Sequence, residues 1–140
     1  MKKPEFIILI DDDEATNYYH DVIIQDSGID TRVLSFEYAE KALDYFRSPD
    51  CIFVKEHCKG IIFLDINMPG MNGWDFLKEF ENLPDHPKES ITIFILTTSE
   101  NPIDLTKAEK SARVKGFIMK PLTTELLNGI VDKHLSPISE

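Results

Sequence analysis

This chain of 140 residues has only two cysteines, one tryptophan and six glycines, and no excess of positive charge. Each shortage excludes something. Cys51 and Cys58 cannot build a disulfide scaffold. With His57 they make three possible metal ligands, and no fourth stands at finger spacing. They read as reduced, structurally ordinary residues. Lys and Arg number 15 against 25 Asp and Glu, a formal net charge of −10. A field of that sign repels phosphate backbones and anionic lipid, so neither nucleic acid nor a membrane surface is the expected partner. The longest wholly apolar run is Phe6 to Ile10, whereas a spanning helix takes about 18 residues. Lys2 and Lys3 precede that run as in a signal peptide, but Asp11-Asp12-Asp13 follows it instead of a longer apolar region and a small-residue cleavage site. A cytoplasmic location is the expectation. No Gly-rich phosphate loop of either standard type is present.

What is present is enough for a core. Hydrophobic residues make up 42% and charged residues 29%. Residues 1–140 read as a single domain with its core at about 6–135, since domains cluster near ~100–150 residues. No output domain is expected, because the stretch after Leu135 is far below the ~40 residues that fold unaided.

Short apolar runs alternate with helical periodicity. Phe6 to Ile10 is continuous and β-branched, as in a strand buried on both faces. Ala15, Tyr18, Tyr19, Val22 and Ile23 form a helical stripe that Gly28 stops. Arg32 to Phe36 is a more polar strand, placed at an edge. Ala39, Ala42, Leu43 and Phe46 repeat the stripe until Pro49. Ile61 to Leu64 is a buried strand, Gly73 to Leu83 a helix, and Ile91 to Leu96 another buried strand. Asn101-Pro102 reads as N-cap and first residue of a helix to about Arg113. Gly116 to Met119 is a last short strand. Thr123 caps a final helix with Leu126, Leu127, Ile130, Val131 and Leu135 inside. Arg47 to Lys59 is a long connection with room for extra helix, and Asn82 to Ser90 is a second long loop. Five strands alternating with five helices argue for an α/β, doubly wound, mostly parallel sheet with helices on both faces.

In such sheets, sites form beyond the carboxyl ends of the strands. There the chain places Asp11, Asp12 and Asp13, then Asp65, then Thr97, Thr98 and Ser99, then Lys120-Pro121. Clustered carboxylates repel one another, which favours a raised pKa or a bound cation. All-oxygen ligands suit Mg²⁺ (or Mn²⁺). A carboxylate beside such an ion can act as nucleophile and form an aspartyl-phosphate, with lysine and hydroxyl groups stabilising the transferring oxygens. Taken singly, each element has a plainer reading. Asp13 suits a helix cap, Thr97 a strand, Lys120 a surface, and Met68-Pro69-Gly70 a turn.

Taken together and in order, Ile8 to Asp13, Phe63 to Gly73, Ile95 to Thr98 and Gly116 to Pro121 resemble the receiver domain of two-component response regulators. The resemblance is to the CheY-like type, with a stand-alone single domain as the expectation. The resemblance covers about Phe6 to Leu135. It implies a flavodoxin-like sheet of order 2-1-3-4-5. It implies that Asp65 is the phosphoacceptor, and that Asp12 and Asp65 ligate Mg²⁺ together with the backbone carbonyl of Asn67, assisted by Asp11. It further implies that Thr97 is the switch hydroxyl, Lys120 the partner of a phosphoryl oxygen, Phe117 the switch aromatic, and Lys120-Pro121 a cis peptide. Asn67 and Ser99 stand where the family tunes dephosphorylation.

Rival families fit less well. A haloacid-dehalogenase phosphatase would place a second Asp where this chain has Asn67. The carboxylates Asp11 to Asp13 would repel the phosphate of a flavodoxin cofactor.

The resemblance implies a phosphorylation-activated switch, not a dedicated enzyme, supplied by a histidine kinase or histidine phosphotransfer protein in a bacterial cytoplasm. Its output would pass to a downstream protein target, or into a homodimer, through the face made by the fourth helix, fifth strand and fifth helix. The alternative is a receiver-shaped adaptor that binds partners without phosphorylation. From Lys107 to Lys120, five cations face Glu109 alone, a net of +4, so the remainder of the −10 chain carries −14. That segment reads first as a solvated helix face; the sharper reading is docking of an acidic partner, or a symmetric dimer that pairs this face with acidic residues. Trp74, close after the Asp65 loop, reads as a core residue.

Overall fold

Alternate residues along a buried strand face opposite layers, and here both layers are covered. The computed structural model describes residues 4–55 and 58–134. Five strands, β1 (Phe6–Ile10), β2 (Arg32–Phe36), β3 (Gly60–Leu64), β4 (Ile91–Thr97) and β5 (Val114–Met119), form one parallel sheet of order β2-β1-β3-β4-β5. Four helices lie in the connections, α1 (Glu14–Asp26), α2 (Ala39–Arg47), α3 (Gly73–Phe80) and α4 (Pro102–Lys110), and α5 (Thr124–His134) follows β5. The two long connections add single-turn helices, Ile52–Lys55 and Asp85–Lys88.

Ile8, Ile10, Ile62, Leu64, Ile93 and Ile95 turn to one face and pack with α2 and α3. Ile7, Leu9, Ile61, Phe63, Phe94 and Leu96 turn to the other and pack with α1 and α5. The first layer is aromatic. Phe46 and Phe80 meet edge-to-face at 5.9 Å, and Phe76 lies 5.7 Å from Phe80. Phe53, from the first long connection, is fully buried in the same cluster. It lies so close to Gly60 that a Cβ there would sit 2.6 Å from its ring. Cys51 and Cys58 are both buried and carry no disulfide. His57, Lys2, Lys3 and Leu135 lie outside the described residues.

Several expectations need correction. The stripe assigned to the first helix faces water: Tyr18 is 70% exposed and Tyr19 49%, and Val22 is exposed as well. The buried residues of α1 are Asn17, His20 and Ile24. Their spacing is equally helical, and they are inside because backbone groups at the strand ends need polar partners. Leu126 is exposed, because among the described residues α5 turns Leu127, Ile130 and Val131 inward. Helix α4 stops at Lys110, where Ser111 adopts extended backbone. The strand after it begins at Val114, paired with Ile93 through a register irregularity at Ile93/Phe94. Helix α3 ends at Phe80, with Leu83 buried beyond it. The N-caps fall where expected. Asp13 accepts from the Ala15 N–H, Asn101 from the Ile103 N–H, and Thr123 from the Leu126 N–H.

Candidate functional site

Register brings the carboxylates together. Ile10 pairs with Leu64, so Asp11 and Asp65 leave adjacent strands side by side. The Asp65 N–H donates to Ile10 O at 3.0 Å, and the Asp11 N–H to Phe36 O at 3.1 Å. On the other flank Met119 pairs with Thr97, and the Lys120 N–H donates to Thr97 O at 2.9 Å. The Lys120–Pro121 peptide is cis.

The side chains then converge. Lys120 Nζ donates a hydrogen bond to Asp11 Oδ2 and lies 3.4 Å from Asp65 Oδ2. Asp65 Oδ1 accepts from the Ile66 N–H at 2.8 Å, and Asp11 Oδ1 from the Asp13 N–H at 2.9 Å. Asp11 and Asp65 are buried, Thr97 is fully buried, and Asp12 is exposed. Burial pushes the Asp65 carboxyl above its ordinary range. The Lys120 charge opposes this without cancelling it, and the Asp11 charge adds to the rise. Burial also works against the Lys120 ammonium, but the Asp11 hydrogen bond and the Asp65 and Asp11 charges outweigh it and hold Lys120 above its ordinary value.

The loop after Asp65 closes tightly. Gly70 has a positive φ of 73°, and the Gly73 N–H donates to Ile66 O at 2.9 Å. A Cβ on Gly73 would lie 2.6 Å from Asp65 O, so only glycine lets α3 start this close to the site. Asn72 and Asp75 then form a capping box.

Polar residues of α1 support the same end. Asn17 Nδ2 donates to Asp11 O at 3.0 Å and to Phe36 O at 3.5 Å. His20 Nε2 accepts the Leu122 N–H at 3.2 Å, just past Lys120-Pro121. Burial, with the nearby Lys120 charge, holds the His20 pKa below its ordinary value; Asp11 pulls it the other way.

Oxygens of Asp11, Asp12 and Asp65 lie within 4.8 Å of one another. This all-carboxylate set, with like charges crowded in a half-dry pocket, fits a hard divalent cation. The other expected residues are dispersed. Asn67 is exposed beside the pocket. Phe117 is half-buried against the aromatic layer. The Ser99 hydroxyl donates to Asp104 Oδ2 at 2.6 Å, while its N–H reaches Thr97 Oγ1 at 3.2 Å. Sequence reasoning passed over Asn17, His20 and Asp104, and read Gly73 only as the end of a motif and the start of a helix. For Asn17 and His20 the signal was their own helical spacing with Ile24.

A family model described as "Response regulator receiver domain" matches residues 7–132. The chain belongs to that family. Receiver domains bind Mg²⁺ at an acidic pocket, and Asp11, Asp12 and Asp65 form an acidic cluster at the corresponding end of this sheet. This receiver domain is 30% identical to a two-component response regulator from Cytophaga hutchinsonii, with a TM-score of 0.82 over 94% of this chain and 97% of that one. It is 25% identical to a response regulator receiver protein from Dyadobacter fermentans, with a TM-score of 0.78 over 91% of this chain and 95% of that one. Among curated proteins, it is 26% identical to "Sensory/regulatory protein RpfC" of Xanthomonas campestris over 93% of its own length. It spans only 16% of that relative. No helix among the described residues is long and apolar enough to cross a membrane.

Proposed function

We propose that this receiver domain is a phosphorylation-activated switch in which Asp65 accepts a phosphoryl group from a phosphohistidine. The observation that carries this reading is the buried Asp65 carboxylate at the end of β3, with Lys120 Nζ 3.4 Å from Oδ2 and two further carboxylates beside it. In the transfer, an Asp65 oxygen forms a bond to phosphorus as the phosphorus–nitrogen bond breaks. The imidazole leaves with the electron pair and takes up a proton. Lys120 offsets charge on the transferring oxygens. Asp12, Asp65 and the Asn67 carbonyl, assisted by Asp11, would hold Mg²⁺ (or Mn²⁺). When bound, the ion neutralises the charge that collects on the phosphoryl oxygens.

Phosphorylation adds roughly −1.5 to −2 charge. The Thr97 hydroxyl turns toward it, Phe117 follows into the space released, and the face made by α4, β5 and α5 changes. Asn67 and Ser99 set access of water to the acyl-phosphate, and neither is a carboxylate or a long blocking chain. The phosphoryl group stays on the chain until hydrolysis, so the domain is a phosphoacceptor rather than a dedicated enzyme. Its donor is a histidine kinase or histidine phosphotransfer protein of a bacterial cytoplasm. The sensory/regulatory relative and the bacterial sources of the similar structures support that placement. A constitutive adaptor is the weaker reading, because Asp12, Asp65, Thr97 and Lys120 are all kept.

The test is a small-molecule phosphodonor with Mg²⁺, read by intact mass. The wild-type chain gains one phosphoryl mass, and neither Asp65→Asn nor chelated wild type does. A wild type that gains none ends the switch reading.

A further inference from the structure

The basic residues past Lys107 do not all face the α4/β5/α5 surface. Lys107, Lys110 and Arg113 turn toward α3 and, with Lys78 and one acidic residue, Glu81, line an open groove of about 620 Å³ that Trp74 and Leu77 also line. Trp74 is half-buried, and Lys107 Nζ stands 5.6 Å above its ring. Arg113 is tied to Glu81 of the turn after α3 at 2.5 Å. Lys78, Lys107 and Lys110 are exposed and form no ion pair among the described residues. Across α4, Pro102, Ile103 and Thr106 share Lys107 and Lys110 in a second, shallower cleft, and Ile103 is 62% exposed. An apolar floor beside three exposed lysines that lack an ion pair among the described residues, on a chain of net charge −10, is a local basic patch open to a partner.

We propose that the groove between α3 and α4 is a docking site for an acidic peptide segment of a partner protein, anchored by an apolar side chain on Trp74. Charge complementarity selects this occupant. The cations steer and register the acidic side chains, and the aromatic floor supplies burial at the centre. A second copy of the chain is disfavoured, because it would bring a further −10 charge against a −10 body. A short segment needs to meet only the local field, within about one Debye length of ~8–10 Å.

The groove is also wired to the phosphorylation site. Trp74 Nε1 donates to Asp104 Oδ1 at 3.0 Å, and Asp104 Oδ2 accepts the Ser99 hydroxyl at 2.6 Å. The Ser99 N–H donates to Thr97 Oγ1 at 3.2 Å. Three hydrogen bonds thus link the groove floor to the hydroxyl beside Asp65. A turn of Thr97 shifts Ser99 and Asp104 and re-sets Trp74, so segment affinity and phosphorylation are reciprocally coupled. This coupling, though not the docking itself, rests on the switch reading.

Trp74 is the chain's single tryptophan, so its emission reports the groove directly. The whole chain is titrated with a synthetic peptide of alternating Glu and Leu, beside an all-polar Glu/Ser peptide and a Lys/Leu peptide. The Glu/Leu peptide is expected to give a saturable emission shift that weakens with salt. Lys107→Glu/Lys110→Glu, and separately Lys78→Glu, are expected to weaken binding on the order of tenfold. Thermal melts confirm that these surface variants fold, and intact mass confirms that they still gain the phosphoryl group. Equal binding by Glu/Ser would reveal a mere anion patch and overturn the proposal. So would equal binding by Lys/Leu, indifference to the charge reversals, or self-association that the reversals abolish. Docking without change on phosphodonor treatment removes only the coupling, whereas a failed mass gain with intact docking indicts the switch reading alone.

Discussion

Helices α1 and α3 follow the two strands that carry the site's carboxylates, yet they pack in opposite ways. Helix α3 buries Phe76, Leu77 and Phe80 and turns its charges outward. Helix α1 buries Asn17 and His20 and turns Tyr18 and Tyr19 outward. The backbone under α3 is already paired in the ladder, so apolar contact is all that its inner face must supply. Beneath α1, carbonyls and N–H groups leave the ladder at the strand ends. Asn17 serves Asp11 O and Phe36 O, and His20 serves the Leu122 N–H. An inward-facing polar residue beside a strand end therefore marks backbone that needs a partner.

The sharpest test of that contrast is Phe80→Ala. Phe80 is fully buried and touches Phe46 and Phe76. Its truncation is expected to cost about 3–5 kcal/mol in a denaturant titration. A loss below about 1 kcal/mol would mean that the aromatic layer does not hold α3.

On the α1 side, His20→Phe preserves bulk and removes the acceptor, leaving the buried Leu122 N–H unpaired at a cost of about 1–3 kcal/mol. The effect depends on pH. Burial holds the folded-state pKa of His20 below its ordinary 6.5, so the unfolded chain takes up the proton first as pH falls. The stability owed to neutral His20 is complete above that value and is lost as pH drops through the folded-state pKa. Thermal melts from pH 7.5 down to 5.5 should therefore fall more steeply for wild type than for His20→Phe. Parallel curves would remove His20 from the account.

The same contrast explains what could be read from sequence. The strands and the residues at their ends were legible, because each is a local pattern: an apolar run, then Asp11, Asp65, Thr97 or Lys120; their order in the sheet was implied only by the family resemblance. The inner face of α1 was not, since Tyr18, Tyr19 and Val22 fit a helical stripe as well as Asn17, His20 and Ile24 do. Periodicity measures spacing; it does not say which backbone groups lie beneath. The Trp74–Asp104–Ser99 chain was hidden for another reason. Trp74 and Asp104 are 30 positions apart, on helices whose approach only the fold sets. Phe53 was hidden as well: it lies in an irregular connection with no periodic pattern, and only the fold sets its ring against Gly60.

Between the two helices lies the charge that they accommodate. Burial raises the pKa of Asp65, so at neutral pH its ionised form burdens the folded state. Asp65→Asn should stabilise the protein by roughly 0.5–2 kcal/mol, the usual gain when a functional site is relieved of strain. The advantage should shrink as pH falls and the wild-type carboxyl becomes protonated. Melts of both proteins at pH 7.5 and near pH 4.5 check the sign, and an equal gain at both would assign the effect to packing.

The smallest expected effect discriminates most directly between the two readings of α1. If Tyr18 belonged to the core, as its stripe in the sequence implies, Tyr18→Ser would remove a buried aromatic and cost several kcal/mol, about 3–5 as for Phe80. At 70% exposure the ring has little burial to lose, and the change should stay within about 0.5 kcal/mol. Asn17→Ser, one position away, deletes the amide that holds two strand-end carbonyls and should cost more than the tyrosine change. Equilibrium unfolding of the pair settles the orientation of α1. Should the tyrosine variant prove the weaker protein, the polar inner face, and with it the support that Asn17 and His20 give the site, would have to be abandoned.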